Sequence, residues 1–528
     1  VEEADIVVIG GGSGGSAVAG RLSEGGRYRV ALLEAGGRNT GLKTIMPGMM
    51  PFQTEATNWK FETVPQRGLN GRRGYQPRGR GLGGSSAINA MLYVRGHPRD
   101  YDEWRDLGCT GWGWDDVLPW FRRSECNERG ADAFHGDAGP LWVSDQRFAN
   151  RGSHAFVQAA EAVQIPVNHD FNGARQEGVG LYQVTQRGGE RWTASRAYLS
   201  SPGARENLAI LCDTIAERVL FEDDRVTGVA YVQGSERRTI RAPRVVLAAG
   251  AFQTPQLLML SGIGPAEHLR EMGIDVRIDR AAVGANLQDH VDYVAAFETA
   301  NSLFLGKSVG GTLRSLGAMV QWLLTRRGGM TSPFAEAGGF LRTDPADDRP
   351  DVQLHFVVAI VEDHGRAKVK AHGFSCHACV LRPESRGTVR LQSPDVTAPP
   401  LIDPDFLGDP RDMEVLKRGV RAMYRILEAP PMAAFEGRDR YPVDLADDAA
   451  LEALLRARSD TVYHPVGTAR MGSDAAAVCD PRLRVRGVEG LYIADASVMP
   501  RLIGGNTNAP TIMIGERCAA FIHEDGAV

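Results

Sequence analysis

The first 36 residues constrain this chain more than any other stretch, because they read strand, glycine turn, helix, strand. Asp5–Gly10 (DIVVIG) is a short β-branched run with no charge after its first residue, as a buried parallel strand requires. Ser13–Ser23 carries small residues and Leu22 at helical spacing, and Arg29–Glu34 (RVALLE) is a second strand. Such a βαβ unit is about as short as a parallel crossover permits. Its turn, Gly10-Gly11-Gly12-Ser13-Gly14-Gly15, satisfies G-x-G-x-x-G directly after the strand. In that pattern Gly10 permits the tight turn, Gly12 lets backbone approach a pyrophosphate, and Gly15 lets helix and strand pack closely. The helix that Ser13 opens offers N–H groups and a positive dipole end to phosphates. Glu34 stands at the end of the second strand, where a carboxylate accepts from ribose hydroxyls and disfavours a 2′-phosphate. The unit predicts a dinucleotide and leaves FAD and NAD open.

A chain of 528 residues is too long for one core and predicts two to four domains. Residues 37–80, rich in Gly, Pro and Asn, read as a long covering loop. Helices are predicted at 100–107, 115–128, 414–427, 449–457 and 511–523. From 208 to 246 the runs LAILC, ERVLFE, VTGVAYV and RVVLAAG read as an antiparallel meander returning to the main sheet. Val352–Ile360 and Phe374–Leu381 predict a second sheet lining a chamber, and Leu491–Ala494 a final strand.

The net charge of −5 and the lack of a basic block argue against nucleic acid as a partner. Seven scattered cysteines suit a reducing compartment better than a disulfide scaffold. The start lacks the basic region of a signal peptide, and no run reaches the roughly 18–20 apolar residues that span a bilayer. The expectation is a cytoplasmic, soluble protein, monomeric or a small homo-oligomer. Leu313–Arg327 carries apolar residues at helical spacing and closes on arginines. It reads as a helix packed on the substrate domain or as one docking peripherally on the inner membrane.

Four further segments carry a family resemblance. Gly79-Arg80-Gly81-Leu82-Gly83-Gly84-Ser85-Ser86-Ala87-Ile88-Asn89 resembles the first signature of the glucose–methanol–choline (GMC) flavoprotein oxidoreductases. Gly250-Ala251-Phe252-Gln253-Thr254-Pro255, running on to Ser261-Gly262-Ile263-Gly264, resembles the second. Tyr463–Thr468 and Gly505–Pro510 are similar to the C-terminal active-site segments. The match runs from residue 5 to about residue 520 in family order, and looks most like the bacterial alcohol and choline dehydrogenases. The resemblance implies FAD as cofactor, held by Gly83, Gly84 and Ser85 through N–H and hydroxyl donors. It also implies small residues at Ala249 against the cofactor, Asp495 near the ribityl–pyrophosphate region, and Val219 near adenine. Asn286-Leu287-Gln288-Asp289-His290 looks like a family segment near the cofactor, although a surface turn explains it equally well. Where some members attach flavin through a histidine just before the Asn89 position, this chain has Ile88, so the FAD is expected to be non-covalent.

Alcohol oxidation needs a base at the hydroxyl proton and a hydride acceptor at the α-carbon, which a flavin supplies. Histidine suits the first task, being neutral often enough to accept. His464 resembles the family's catalytic histidine, and Asn506 its histidine-or-asparagine partner, able to hold the alcohol oxygen. Asn508 and Pro510 are expected to shape the wall near the flavin pyrimidine. Cys376-His377-Ala378-Cys379 and Val361-Glu362-Asp363-His364 read as strand and loop residues, and no metal is expected. Glu336 is either a binder of a cationic substrate or a hydrogen-bonded structural acid. The fold class implied is α/β, a Rossmann-like FAD domain (1–150, 201–297 and 461–528) with a smaller α+β substrate domain (151–200 and 298–460). The function implied is oxidation of a primary alcohol, aliphatic or aryl, to an aldehyde. The electrons go to a quinone or other carrier, or in an oxidase to oxygen; a few family members use flavin as the scaffold of a lyase.

Overall fold

Five short apolar strands set the frame. In the computed structural model, which describes residues 2–200, 205–306, 308–367 and 369–526, they form one parallel sheet. Its order is Leu208–Leu211, Val30–Leu33, Ile6–Ile9, Val245–Leu247, Leu491–Ile493. Four of these strands are uniformly buried and mostly β-branched or leucine-rich, as a sheet covered on both faces demands. Helices Ser13–Leu22 and Asn508–Asp525 pack together against it. Ligand sites of such sheets lie beyond the carboxyl ends of the strands where the order reverses. Here Gly10, Glu34, Ala248 and Asp495 follow those ends.

The segment from 208 to 246 corrects the expected meander. Leu208–Leu211 and Val245–Leu247 both join the parallel sheet. The antiparallel piece is Thr214–Glu222, Arg225–Gln233 and Glu236–Arg241. The last strand escaped notice because its side chains are almost all polar and exposed, so it lacks apolar alternation. Likewise the helix expected to reach Glu128 ends at Ser124, and Glu125–Asn127 turns into a strand paired with Leu141–Val143.

A second sheet is antiparallel and seven-stranded. Arg438–Asp439, Val291–Glu298, Gly373–Val380, Val352–Val357, Ala335–Leu341 and Gly178–Leu181 pair in that order, and Asp460–Thr461 also pairs with Val291–Glu298. Val291–Glu298, placed by the sequence on the nucleotide side, therefore belongs to this sheet. Strand alternation sorts its two faces. Leu354, Phe356, Cys376 and Ala378 join the core under helices Arg151–Ala162 and Pro410–Leu427. Gln353, His355, Val357 and His377 occupy the other face, over a chamber between the sheets. Cys376 and Cys379 fall in different apolar clusters on opposite faces, so they form no reactive pair. Burial pushes both thiols up.

The covering loop holds only short pieces, Leu42–Ile45, Pro47–Phe52 and a hairpin of Phe61–Glu62 with Tyr75–Gln76. Much of it walls the chamber.

Candidate active site

One cavity of about 1240 Å³ runs from the glycine turn at the parallel sheet to the antiparallel floor. That exceeds the roughly 300–1,000 Å³ of a single small-ligand pocket. Gly10, Gly12, Ser13, Glu34, Gly84, Ser85, Asn89, Ala249, Asp495 and Asn508 all line it, with His464, Asn506 and Glu336 at the far end.

The nucleotide end is built from backbone. Gly10 has φ +100° at the close of its strand, and a Cβ on Gly15 would overlap the Gly10 carbonyl. Gly12 and Gly84 face each other so closely that a Cβ on Gly84 would stand 2.8 Å from the Gly12 Cα. Three helices begin on the cavity wall at Gly12, Ala249 and Thr507, and none of these N-cap residues satisfies its helix with its own side chain, although Asp495 takes the Gly250 N–H of the second. Elsewhere Asn150, Ser308, Asp409 and Asp447 cap their helices. Uncapped N–H groups and aligned dipoles are what a diphosphate uses, so these residues fit a dinucleotide. Asp495 holds two cavity loops together, its carboxylate accepting from the Gly250 N–H at 2.9 Å and the Ser497 N–H at 2.8 Å. Ser13 Oγ donates to Asn508 Oδ1 at 2.7 Å.

Glu34 does more than the sequence implied. Its carboxylate accepts from the N–H groups of Gly11 at 2.8 Å and of Gly36 and Gly81 at 2.9 Å. Three of about four lone-pair positions are thus used in tying the glycine turn to the 79–89 loop, leaving one for a ribose hydroxyl.

Gly15, Arg80, Gly83, Val219 and Pro510 do not reach the cavity wall. Gly15 and Pro510 lie beneath it in their helices. Gly83 donates its N–H to the Gly11 carbonyl at 2.8 Å, and Arg80 lies over the Trp59 ring. Val219 is buried, with its N–H bound to Ser261 Oγ; Thr214, Ile215 and Ala216 wall the cavity instead. Val219 stands further along the same strand, whose start faces the cavity.

The chemical end is built from side chains. His290 Nε2 faces the carbonyls of Leu381 at 2.9 Å and Ile503 at 3.1 Å, so it must carry the proton. Burial pushes this histidine down to about 4, so it is neutral and its Nδ1 is an acceptor. His464 Nδ1 lies 2.9 Å from that atom and therefore donates to it. His464 Nε2 is left as a lone pair, 3.2 Å from the Asn506 amide nitrogen. Gln353 fixes the amide by donating to Asn506 Oδ1 at 3.0 Å. Burial, then His290, His355 and Arg78, push His464 well below the ordinary histidine range.

The backbone of His464 is held as well. Asp289 accepts the His464 N–H at 2.8 Å and the Thr461 hydroxyl at 2.6 Å, and burial raises its carboxyl to about 6. Tyr463 stands in the left-handed region at φ +76°, with its N–H on Thr461 Oγ1 and its carbonyl accepting from Arg78. The segment 286–290 is thus no surface turn, since Leu287 through His290 are buried and two of them grip His464. Only its resemblance to a family segment signalled it. Arg78, Thr461 and Gln353 carried no signal. His364 bonds Tyr463 and Asp460, and Glu362 pairs with Arg440 and Arg458, so both side chains of that loop are engaged.

Family profiles described as GMC oxidoreductase match residues 4–292 and 383–515. The chain belongs to the GMC oxidoreductase family. It is an FAD-dependent oxidoreductase acting on CH–OH donors. The chain is 43% identical over 525 residues to an alcohol dehydrogenase [acceptor] of Pseudomonas putida, covering 98% of this chain and 95% of that one. It is 40% identical over 526 residues to an oxygen-dependent choline dehydrogenase of Rhizobium etli, with the same coverage. Among solved structures, pyridoxine 4-oxidase from Mesorbium loti is 32% identical with a TM-score of 0.88, covering 98% of this chain and 99% of that one.

Proposed function

We propose that this GMC oxidoreductase oxidises an uncharged primary alcohol to its aldehyde and passes the electrons to a carrier other than oxygen. The relay from the Leu381 and Ile503 carbonyls through His290 to His464 carries the reading. It leaves one basic lone pair, at His464 Nε2, facing the chamber beside an amide donor. In this scheme His464 Nε2 takes the hydroxyl proton, while Asn506 donates to the alcohol oxygen and opposes its drift as charge develops. FAD, when bound, accepts the hydride from the α-carbon. The alcohol thereby loses one proton and one hydride and becomes a carbonyl. Asp289 and His290 act through His464 and hold its position and tautomer. Ile88 on the chamber wall has no nucleophile, which supports non-covalent FAD.

Glu336 supports an uncharged substrate. Its carboxylate is fully buried and accepts from the Ser332 and Ser153 hydroxyls at 2.6 and 2.7 Å and from the Asn150 N–H at 2.6 Å. It is thereby a structural acid, and burial pushes its carboxyl up from the usual carboxylate range. Full-length similarity to an acceptor-linked alcohol dehydrogenase supports the choice of a carrier. The test is anaerobic flavin bleaching by aliphatic, aryl and choline-like alcohols, followed by peroxide measurement in air. Bleaching by neutral alcohols with little peroxide is expected. Bleaching by choline alone, or fast peroxide formation, overturns the substrate or acceptor assignment; no bleaching by any alcohol returns the lyase reading.

A further inference from the structure

Most of the large apolar side chains that this protein leaves in solvent lie in one place. Of twelve such residues among those described, ten belong to the segments around the chamber mouth. Helix Val309–Thr325 contributes most of them. Amphipathic surface helices ordinarily turn their apolar stripe inward, which is one of the two readings the sequence leaves open here. The structure does the reverse. Val309, Leu313, Leu316, Val320 and Leu324 form one stripe at four- and three-residue steps, and they are 82, 64, 53, 55 and 80% exposed. Only Gly311 and Trp322 of this helix are buried. Its other edge, including Gly311, Ser315 and Met319, walls the chamber. Turn Gly329–Thr331 joins it to Pro47–Phe52, whose Phe52 is also exposed on the rim beside Leu305.

Charge tells what covers this collar. No Asp or Glu occurs from 299 to 335 or from 35 to 54, which supply most of it, and Glu362 and Asp363 of the neighbouring 361–371 segment are already paired with Arg440, Arg458 and Arg366. Arg38, Lys43, Arg314 and Arg327 are exposed there, while Arg326 is engaged by Glu190 at 2.8 Å. Two copies of such a face would set cation against cation with no unpaired carboxylate from these segments between them, which opposes self-association. An interfacial helix with an apolar face and basic neighbours matches the headgroup boundary of an anionic bilayer. Among the described residues no helix is long and apolar enough to cross a membrane, so the contact is with the surface.

We propose that the collar around the chamber mouth, centred on Val309–Thr325, docks the protein on the surface of an anionic lipid bilayer with the mouth against the acyl chains. This rests on exposure and charge alone and stands whatever alcohol the chamber takes. The holoenzyme is sedimented with vesicles of phosphatidylcholine, or of phosphatidylcholine with phosphatidylglycerol, beside the variant Leu313→Gln/Val320→Gln/Leu324→Gln. None of those three residues walls the chamber, so flavin reduction by a water-soluble alcohol serves as the folding control and should be unchanged. Parent protein is expected on the phosphatidylglycerol vesicles, and the variant to bind at least tenfold less. Three results overturn the proposal: no binding by the parent, equal binding by parent and variant, or binding as strong to phosphatidylcholine alone. So does a parent that dimerises through this face and ignores vesicles while the variant stays monomeric.

Discussion

The two ends of the chamber solve opposite problems. The nucleotide end places backbone: glycines without Cβ, and three helix starts with no N-cap side chain bound to them. The chemical end places side chains, passing orientation from two carbonyls through His290 to His464 and Asn506. The first end therefore fails when a side chain is added, and the second when one is removed.

Substitution can break that contrast in either direction. Gly15→Val has the largest expected effect, because the new side chain must displace the Gly10 carbonyl at the head of the phosphate turn. Protein purified from this variant should carry almost no flavin, read from its absorbance. His464→Ala should keep its flavin yet reduce it about 10²–10⁴-fold more slowly in stopped flow, the range of a lost general base. Near-normal rates would remove His464 from the mechanism. His290→Leu keeps volume but deletes the acceptor that sets the His464 tautomer. A slowing of about 10–10²-fold with full flavin content is expected, since a wrong tautomer disables a base whose position is intact. A rate equal to the parent's would show that His290 only fills space.

The smallest effect concerns pH. His464 is held below the ordinary range, so the base form persists and flavin reduction should stay flat as pH falls through 6.5. Stability behaves differently. His464, His290 and His355 all have lowered values, so below 6.5 the unfolded chain binds protons that the fold refuses. Melting temperature should hold above 6.5 and fall as pH drops from there towards 4. Asp289, raised to about 6, partly offsets this, since its buried carboxyl binds a proton that the unfolded chain gives up between 3.8 and 6. A titration of the reduction rate at 6.5 without a change in melting temperature would reverse both assignments.

How much was legible in the sequence follows from the same contrast. Gly10, Gly12, Gly15 and Glu34 sit within one βαβ unit, where local spacing dictates geometry, and all four fell where the pattern puts them. Glu34 could not be read as a clamp, because its partner Gly81 lies 47 residues away. The relay is more remote still. His290 and His464 are 174 residues apart and meet only because Val291–Glu298 crosses into the antiparallel sheet beside Asp460–Thr461. No periodicity reports such a meeting. The rim helix stayed between two readings for another reason: a stripe of leucines looks alike whether it faces a core or the outside, and only the fold shows which.

One feature at the catalytic end bears on how this enzyme could be improved. Tyr463 occupies a backbone region that costs a side-chain-bearing residue about 1–2 kcal/mol, and it immediately precedes His464, the proposed base. Glycine there would relieve that cost, but it would remove a partly buried ring packed on His364 and loosen the unfolded chain, losses that outweigh the strain, so the melting point should fall. It would also free the segment that aims His464 and delete the phenol bound to His364. Relaxing the strain would therefore cost robustness and turnover together, and a screen for heat resistance would leave this position alone.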